Sequence, residues 1–337
     1  MKKKIIIIAE IGVNHDGNID KAKELIKIAK NCKADYVKLQ TFNANELIIK
    51  NHKKSTYQNK NTSKNETLFQ MLTKLTFNYN QTKKLFEFSK KIGIKCLSTP
   101  FDEKSIKLLD KLKMDFYKVS SGDINNFPLL EIIAKRKKPI ILSTGRTYLN
   151  EIKKSINFLN SKGCYDISIL HCTSIYPAKQ SDLNLRCIET LQKKFKNTIG
   201  YSDHSLGITA PVIAVTLGAK IIEKHITLNR KDLGPDHAAS LEPLEFKKMC
   251  SDIRNVEKML GSSIKKPCKN EFKGRKNNRR GLYAAINLKK NQILNKKHIS
   301  IKRPEAYFSP ENFYDLIGKK ILSNIKKDKA FNKKNIK

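Results

Sequence analysis

Residues 199–225 read IGYSDHSLGITAPVIAVTLGAKIIEKH. Two short runs rich in β-branched and apolar residues, Ile199–Ser202 and Ile221–His225, flank an apolar stretch of helical length, Thr209–Leu217. A strand, a crossover helix and a second strand place the two strands parallel in one sheet. Both runs stop on a polar cluster, Ser202, Asp203 and His204 in the first and Glu223, Lys224 and His225 in the second.

The same unit recurs upstream. Further strands are expected at Lys4–Ile8, Tyr36–Gln40, Lys95–Ser98, Phe116–Ser120, Ile140–Ser143 and Ile167–His171. Helical patterns fall at Asp20–Cys32, Asn80–Ile92, Ser105–Leu112, Leu149–Lys162 and Leu183–Phe195, and Glu242–Leu260 follows the last strand. Eight such units predict a (β/α)8 barrel over residues 1–260. An open doubly wound sheet is the competing α/β arrangement, but no G-x-G-x-x-G follows an early strand. The second connection, from Thr41 to about Glu66, is long and polar, which in a compact domain marks a functional or mobile segment. Residues 261–278, rich in Lys, Ser and Asn, read as a linker, and residues 279–337 as a small second domain. That domain carries strand-like runs at Leu282–Ile286 and Ile299–Lys302 and a helix near Pro310–Ile317, and its last residues are expected to fray.

Composition narrows the function classes. The formal charge is +37, from 68 Lys and Arg against 31 Asp and Glu. The lysines are scattered through nearly every helix rather than gathered in a stripe, and no nucleic-acid-binding signature appears, so solvated outer faces explain them better than specific nucleic-acid binding. A non-catalytic polyanion-binding barrel is the different-class reading that the charge motivates. Seven cysteines without C-x-x-C spacing fit reduced thiols in the cytoplasm. No apolar run reaches the ~20 residues of a membrane span. The opening MKKKIIIIAEIG reads as a buried first strand rather than a signal peptide, because its apolar run is short and lacks a cleavage site.

In a barrel of this kind chemistry sits at the C-terminal ends of the strands. Polar residues gather there in every unit: Glu10; Lys38 and Gln40; Thr99; Lys118, Ser121 and Asp123; Ser143; His171 and Tyr176; Ser202 and His204; Glu223 and His225. Lys38, Lys118 and the hydroxyls of Thr99, Ser121, Ser143 and Ser202 suit a phosphate and a carboxylate. His204 and His225 end adjacent strands, about 5 Å apart, so their imidazoles can reach one divalent metal, with His171 a candidate third ligand. Imidazole equally serves as an acid, a base or a hydrogen-bonding core group. Glu10, Asp123 and Asp236 are candidates for acid–base work or for binding sugar hydroxyls. A Schiff base on Lys118 or Lys224 is a second chemistry open to such a barrel.

The segments AEIGVNHDGNIDKA, YVKLQTF, LSTPFD, YKVSSGDINNFPLL, ILSTG, ILHCTSIYPA, IGYSDHSLGI, GAKIIEKHITLNR and GPDHAASLEP together resemble the sialic acid synthase family. GLYAAINLKKNQIL, IKRP and IGKKIL resemble its C-terminal antifreeze-like (SAF) domain. The resemblance implies condensation of phosphoenolpyruvate with an N-acylated amino sugar and water, giving a sialic acid and phosphate. N-acetylmannosamine is the first expected sugar and a 2,4-diacetamido-2,4,6-trideoxy-mannose, the legionaminate precursor, the second. It implies phosphoenolpyruvate held by Lys38, Thr99, Lys118, Ser121, Ser143 and Ser202, and a metal, Mn2+ with Mg2+ or Co2+ as substitutes, on His204 and His225. It places Gln40, Asp123, Tyr176 and Asp236 on the sugar and Glu10 beside the reacting atoms. Arg303 would reach the N-acyl group across a domain-swapped homodimer. This chain departs from the family at Asp123, where many members have Glu, at Ser174, where some have Asn, and at Glu305–Ala306–Tyr307, which replaces a glycine-containing turn.

Overall fold

The computed structural model describes residues 4–63 and 65–337, and the chain divides into two compact units at Gly261/Ser262. In the first unit, β1 (Ile6–Gly12) leads through α1 (Ile19–Asn31) to β2 (Tyr36–Thr41). Three short helices follow, α2 (Ala44–Leu47), α3 (Thr56–Asn61) and α4 (Leu68–Leu75), before α5 (Tyr79–Ile92) and β3 (Lys95–Pro100). The chain continues through α6 (Glu103–Asp110), β4 (Tyr117–Val119), α7 (Phe127–Ala134), β5 (Ile140–Ser143), α8 (Leu149–Ser161) and β6 (Ile167–Cys172). It ends the ring with α9 (Cys187–Lys194), β7 (Thr198–Asp203), α10 (Thr209–Thr216), β8 (Ile221–His225) and α11 (Pro243–Met259).

All eight strands are parallel, in the order β3-β2-β1-β8-β7-β6-β5-β4, and β3 and β4 adjoin where the ring closes. This is the expected (β/α)8 barrel. Its core is the inner strand residues and the apolar stripes of the helices, such as Leu25, Ile26 and Ala29 of α1. Helix ends follow local chemistry. The Asn18 side chain accepts from the Asp20 and Lys21 amides at the start of α1, and Gly93, at φ 75°, closes α5 in a left-handed turn.

Strand register decides which side chains share a layer. Glu10 lies opposite Lys38 on β2 and opposite His225 on β8, Gln40 opposite Thr99, and Ser202 opposite both Cys172 and Glu223. A bulge between Glu10 and Gly12 bends the end of β1, and Gly12 sits at φ 56°. A Cβ there would stand 3.2 Å from Gln40 and Glu10 and 3.3 Å from the His225 ring, so glycine lets the backbone pass beside them.

Several local expectations differ from the structure. The helix expected at Leu183–Phe195 is shorter, Cys187–Lys194, preceded by a 3-10 turn at Gln180–Asp182. The β4–β5 crossover is α7, whose sequence FPLLEIIA is too uniformly apolar to show a helical period. Residues Lys269–Asn278, inside the expected linker, form a helix, α12, with no buried side chain.

The second unit continues with β9 (Gly281–Ala284), β10 (Ile299–Lys302) and α13 (Phe313–Leu316). β9 and β10 pair antiparallel over a small core of Leu282, Leu288, Leu294, Leu316 and Ile321. The tail does not fray: Phe331 is fully buried in that core, and Ile336 bridges to Ile321. None of Glu305, Ala306 and Tyr307 takes a positive φ, so the turn after Pro304 needs no glycine here. All seven cysteines are free, and no described helix is long and apolar enough to cross a membrane. Among the described residues only Lys38, Lys54, Lys118 and Lys224 are buried lysines, so the positive charge is overwhelmingly solvated.

Candidate active site

A cavity of about 320 Å³ opens at the C-terminal ends of the strands. Its wall holds Glu10, Lys38, Gln40, Thr99, Lys118, Ser121, Ser143, Tyr176, Ser202, His204, His225 and Asp236. A larger cleft of about 740 Å³ lies at the other end of the strands, but Arg254 and Glu257 in its wall are paired with each other, at 2.9 Å, and its floor is aliphatic. The chemistry therefore belongs to the smaller cavity.

Its floor is a chain of alternating buried charges. Lys38 Nζ donates to Thr99 Oγ1 at 3.1 Å and lies 3.0 Å from Glu10 Oε2. Glu223 Oε1 stands between the two lysines, 3.6 Å from Lys38 Nζ and 3.7 Å from Lys118 Nζ, and accepts from Ser202 Oγ at 3.1 Å. Lys118 Nζ donates to Ser143 Oγ at 2.7 Å, and Gln40 Nε2 to Glu10 Oε1 at 3.0 Å. Glu223 Oε2 has no hydrogen-bond partner among the described residues. Burial pushes the Glu10 carboxyl up to about 7 although Lys38 opposes it. Burial works against the charge on Lys38, but Glu10 and Glu223 outweigh it and hold that lysine above its ordinary range. Burial pulls Lys118 down, and Glu223 offsets only part of that.

Beside this floor stand the two imidazoles, ring centroids 5.4 Å apart. His204 Nδ1 donates to the Thr173 carbonyl at 2.9 Å, so only its Nε2 remains for a ligand; against the pull of burial, Cys172 and the Thr173 carbonyl hold this imidazole above its ordinary range. His225 is held neutral, far below the usual histidine range, by burial and by His204 next to it. Its Nδ1 is buried and has no hydrogen-bond partner among the described residues, with Asp236 Oδ2 3.9 Å away. Two imidazoles, one neutral with an unsatisfied nitrogen, and a nearby carboxylate fit a borderline divalent cation. Asp16, Asp232 and His237 also converge elsewhere, but Lys21 Nζ lies 2.5 Å from Asp16 and 2.6 Å from Asp232. An ammonium already supplies the positive charge in that cluster.

Three barrel residues that the sequence pointed to, His171, Asp123 and Lys224, do not line the cavity. His171 Nε2 bonds the Leu183 carbonyl at 2.7 Å, so it is not a third member of the histidine pair. Asp123 is tied back to Ser120 Oγ at 2.5 Å and to Asn126 at 3.3 Å. Arg303 is an exposed residue of the second unit. Lys224 is fully buried in an ion pair with Asp203 at 2.5 Å, away from the cavity, which removes it as a Schiff-base candidate. Tyr57, Arg146, Cys172 and Glu223 line the cavity without having been assigned a role from sequence. Glu223 was visible at a strand end, but only the folded side-chain positions bring it to both lysines; Tyr57 lies in the long polar connection, where no periodicity points inward.

A closed parallel barrel with buried lysines, hydroxyls and a histidine pair at its C-terminal mouth defines a (β/α)8 enzyme built for an anionic substrate. The NeuB family profile matches residues 25–265. The chain is 43% identical to the N,N'-diacetyllegionaminic acid synthase of Campylobacter jejuni, over 97% of this chain and 98% of that one. It is 38% identical to the human N-acetylneuraminate-9-phosphate synthase, over 96% and 90% of the two chains. The crystal structure of the N-acetylneuraminic acid synthetase of Leptospira borgpetersenii, solved in complex with citrate, superposes with a TM-score of 0.71 at 33% identity, covering 80% of this chain and 90% of that one. The chain belongs to the NeuB family of sialic acid synthases and is a synthase of that type.

Proposed function

We propose that this enzyme joins C3 of phosphoenolpyruvate to the aldehyde carbon of an N-acylated amino sugar and, with water, releases phosphate and a nine-carbon 2-keto acid. The observation that carries this reading is the convergence of Lys38, Lys118, Thr99, Ser121, Ser143 and Ser202 beside the histidine pair in one cavity. The lysines and hydroxyls hold the phosphate and carboxylate of phosphoenolpyruvate and fix its C2–C3 edge. Gln40, Tyr176 and Asp236 orient the sugar, and Glu10 stands beside the aldehyde. For Asp123 to join them, its carboxylate must leave the Ser120 hydroxyl. A divalent metal on His204 and His225, Mn2+ being the first choice, would polarise the aldehyde oxygen as a Lewis acid. Attack by C3 leaves C2 electron-deficient, water adds there, and the C2–O bond to phosphate breaks. The second unit is read as the antifreeze-like domain that delivers Arg303 to a partner's site in a homodimer, and the enzyme as cytoplasmic.

For the acceptor, the legionaminate precursor now stands ahead of N-acetylmannosamine. Val13, Met71, Leu72 and Phe101 give the cavity an apolar wall, which suits a methyl and an acetamido group better than a hydroxymethyl. The 43% identical relative bears a diacetyllegionaminic name. In the test, purified protein is incubated with phosphoenolpyruvate, Mn2+ and each sugar in turn, with a chelator control, and the product is identified by mass. Expected are phosphate and a nine-carbon acid, with kcat/KM about ten-fold higher for the diacetamido sugar. Absence of phosphate release with every amino sugar overturns the reading.

A further inference from the structure

One part of the cavity wall comes from outside the barrel strands. Between β2 and α5 the chain builds α2, α3 and α4, and Tyr57 and Gln58 of α3 face the cavity together with Met71 and Leu72 of α4. This segment is anchored at several points. Phe42, Leu68, Met71 and Leu75 pack with Val13 into an apolar cluster separate from the barrel core. Lys54, buried, donates to Thr62 Oγ1 at 3.0 Å and to the Ser63 carbonyl at 2.5 Å. The Ser55 amide donates to Gln58 Oε1 at 2.9 Å and fixes the first turn of α3. At its far end the Asn61 carbonyl accepts from the Gly234 amide at 2.8 Å, two residues before Asp236.

Tyr57 sits at the centre of this arrangement. Its ring stacks on Tyr176, centroids 5.2 Å apart and planes 24° from parallel, and Tyr176 in turn lies 4.1 Å from the His204 ring. The column of rings runs from the long connection down to the histidine pair. Burial, and then the Asp236 carboxylate, push the Tyr57 phenol above its ordinary range, so it remains a neutral donor. An aromatic face beside a carboxylate is a common way to hold a pyranose or an extended polyol, the ring covering C–H faces while polar groups take the hydroxyls.

We infer that Tyr57 is a specificity-determining residue for the amino sugar: its ring bounds the sugar subsite and holds Tyr176 in place over His204. The inference rests on the proposed second substrate being an amino sugar, and it adds a contact that no strand end supplies.

The test compares Tyr57→Leu and Tyr57→Phe with wild type in steady-state assays, varying sugar and phosphoenolpyruvate separately. Leucine keeps apolar volume and removes the aromatic face; phenylalanine keeps the face and removes only the hydroxyl. Tyr57→Leu is expected to raise the sugar KM about ten-fold and to leave the phosphoenolpyruvate KM within about two-fold, with Tyr57→Phe between it and wild type. Circular dichroism and Tm establish that each variant is folded. An unchanged sugar KM in Tyr57→Leu, or a parallel rise in both KM values, overturns the inference while wild-type turnover leaves the proposed reaction standing. Wild type inert toward every amino sugar fails the proposed reaction itself and takes this inference with it.

Discussion

Glu10, Lys38, Lys118 and Glu223 put four buried ionisable groups at the mouth of one barrel. Each buried ion loses several kcal/mol of hydration, and pairing seldom returns more than that, so such a chain is weak evidence of selection for stability. It is strong evidence for a site that must receive anions. Lys118→Met is therefore expected to lower phosphate release about 100-fold while Tm, measured by scanning calorimetry, moves by only a few degrees, because Glu223 keeps Lys38 as its partner. An equal collapse of Tm would make the lysine structural. His15 gives a second prediction. It is buried against Phe77, accepts from the Gly17 amide, and is pulled down to about 4, chiefly by burial. The unfolded chain takes up this proton near pH 6.5 and the folded protein only near 4, so the contribution of neutral His15, at most about 3 kcal/mol, is complete above pH 6.5 and is lost as the pH falls toward 4. His15→Gln should flatten the fall in Tm between pH 6.5 and 4.5; an unchanged slope would contradict this. At this scale the sequence showed the part of the cavity wall that comes from strand ends, because strand ends are readable, but not Tyr57, Gln58, Met71, Leu72 or Arg146, which come from the connections. It did not show that His171 turns to a backbone carbonyl or that Asp123 bonds Ser120, since those depend on side-chain direction and not on position.

Among the elements, β7 leaves little room on either side. Gly200 lies opposite Leu170 in β6, and a Cβ on it would fall 2.5 Å from Leu170 Cδ2 and 2.6 Å from the Ile221 carbonyl. The carbonyl is backbone and cannot rotate aside. Gly200→Ala should cost about 1–3 kcal/mol in denaturant unfolding, and a neutral result would show that the β7–β8 spacing is looser than described. Strand identity was legible because buried parallel strands are short, β-branched and bounded by polar ends. The β4–β5 crossover was not, because α7 is apolar but for Glu131 and shows no clear helical period. Helices α2 and α3 of the β2–α5 connection were hidden for the opposite reason: they are brief, polar and start on caps rather than on a hydrophobic period, whereas α4 does carry an apolar stripe, Leu68, Met71, Leu72 and Leu75, that the sequence reading passed over.

For the whole molecule, the barrel could be counted from its repeating units, whereas the last dozen residues were misread from their lysines. Phe331 and Ile336 decide that segment, and two apolar side chains in a basic stretch carry no periodic signal. The charge of +37 speaks to solvation and to attraction of anions, and the chemistry comes from the few lysines withdrawn from water. In the proposed reaction water attacks carbon rather than phosphorus after the new C–C bond forms. Its most direct measurement is a turnover in 18O-labelled water with phosphoenolpyruvate, Mn2+ and the diacetamido sugar, followed by mass analysis of the phosphate. Phosphate is expected only when the sugar is present, and it carries no label from water. Labelled phosphate, or phosphate released equally without sugar, would contradict it.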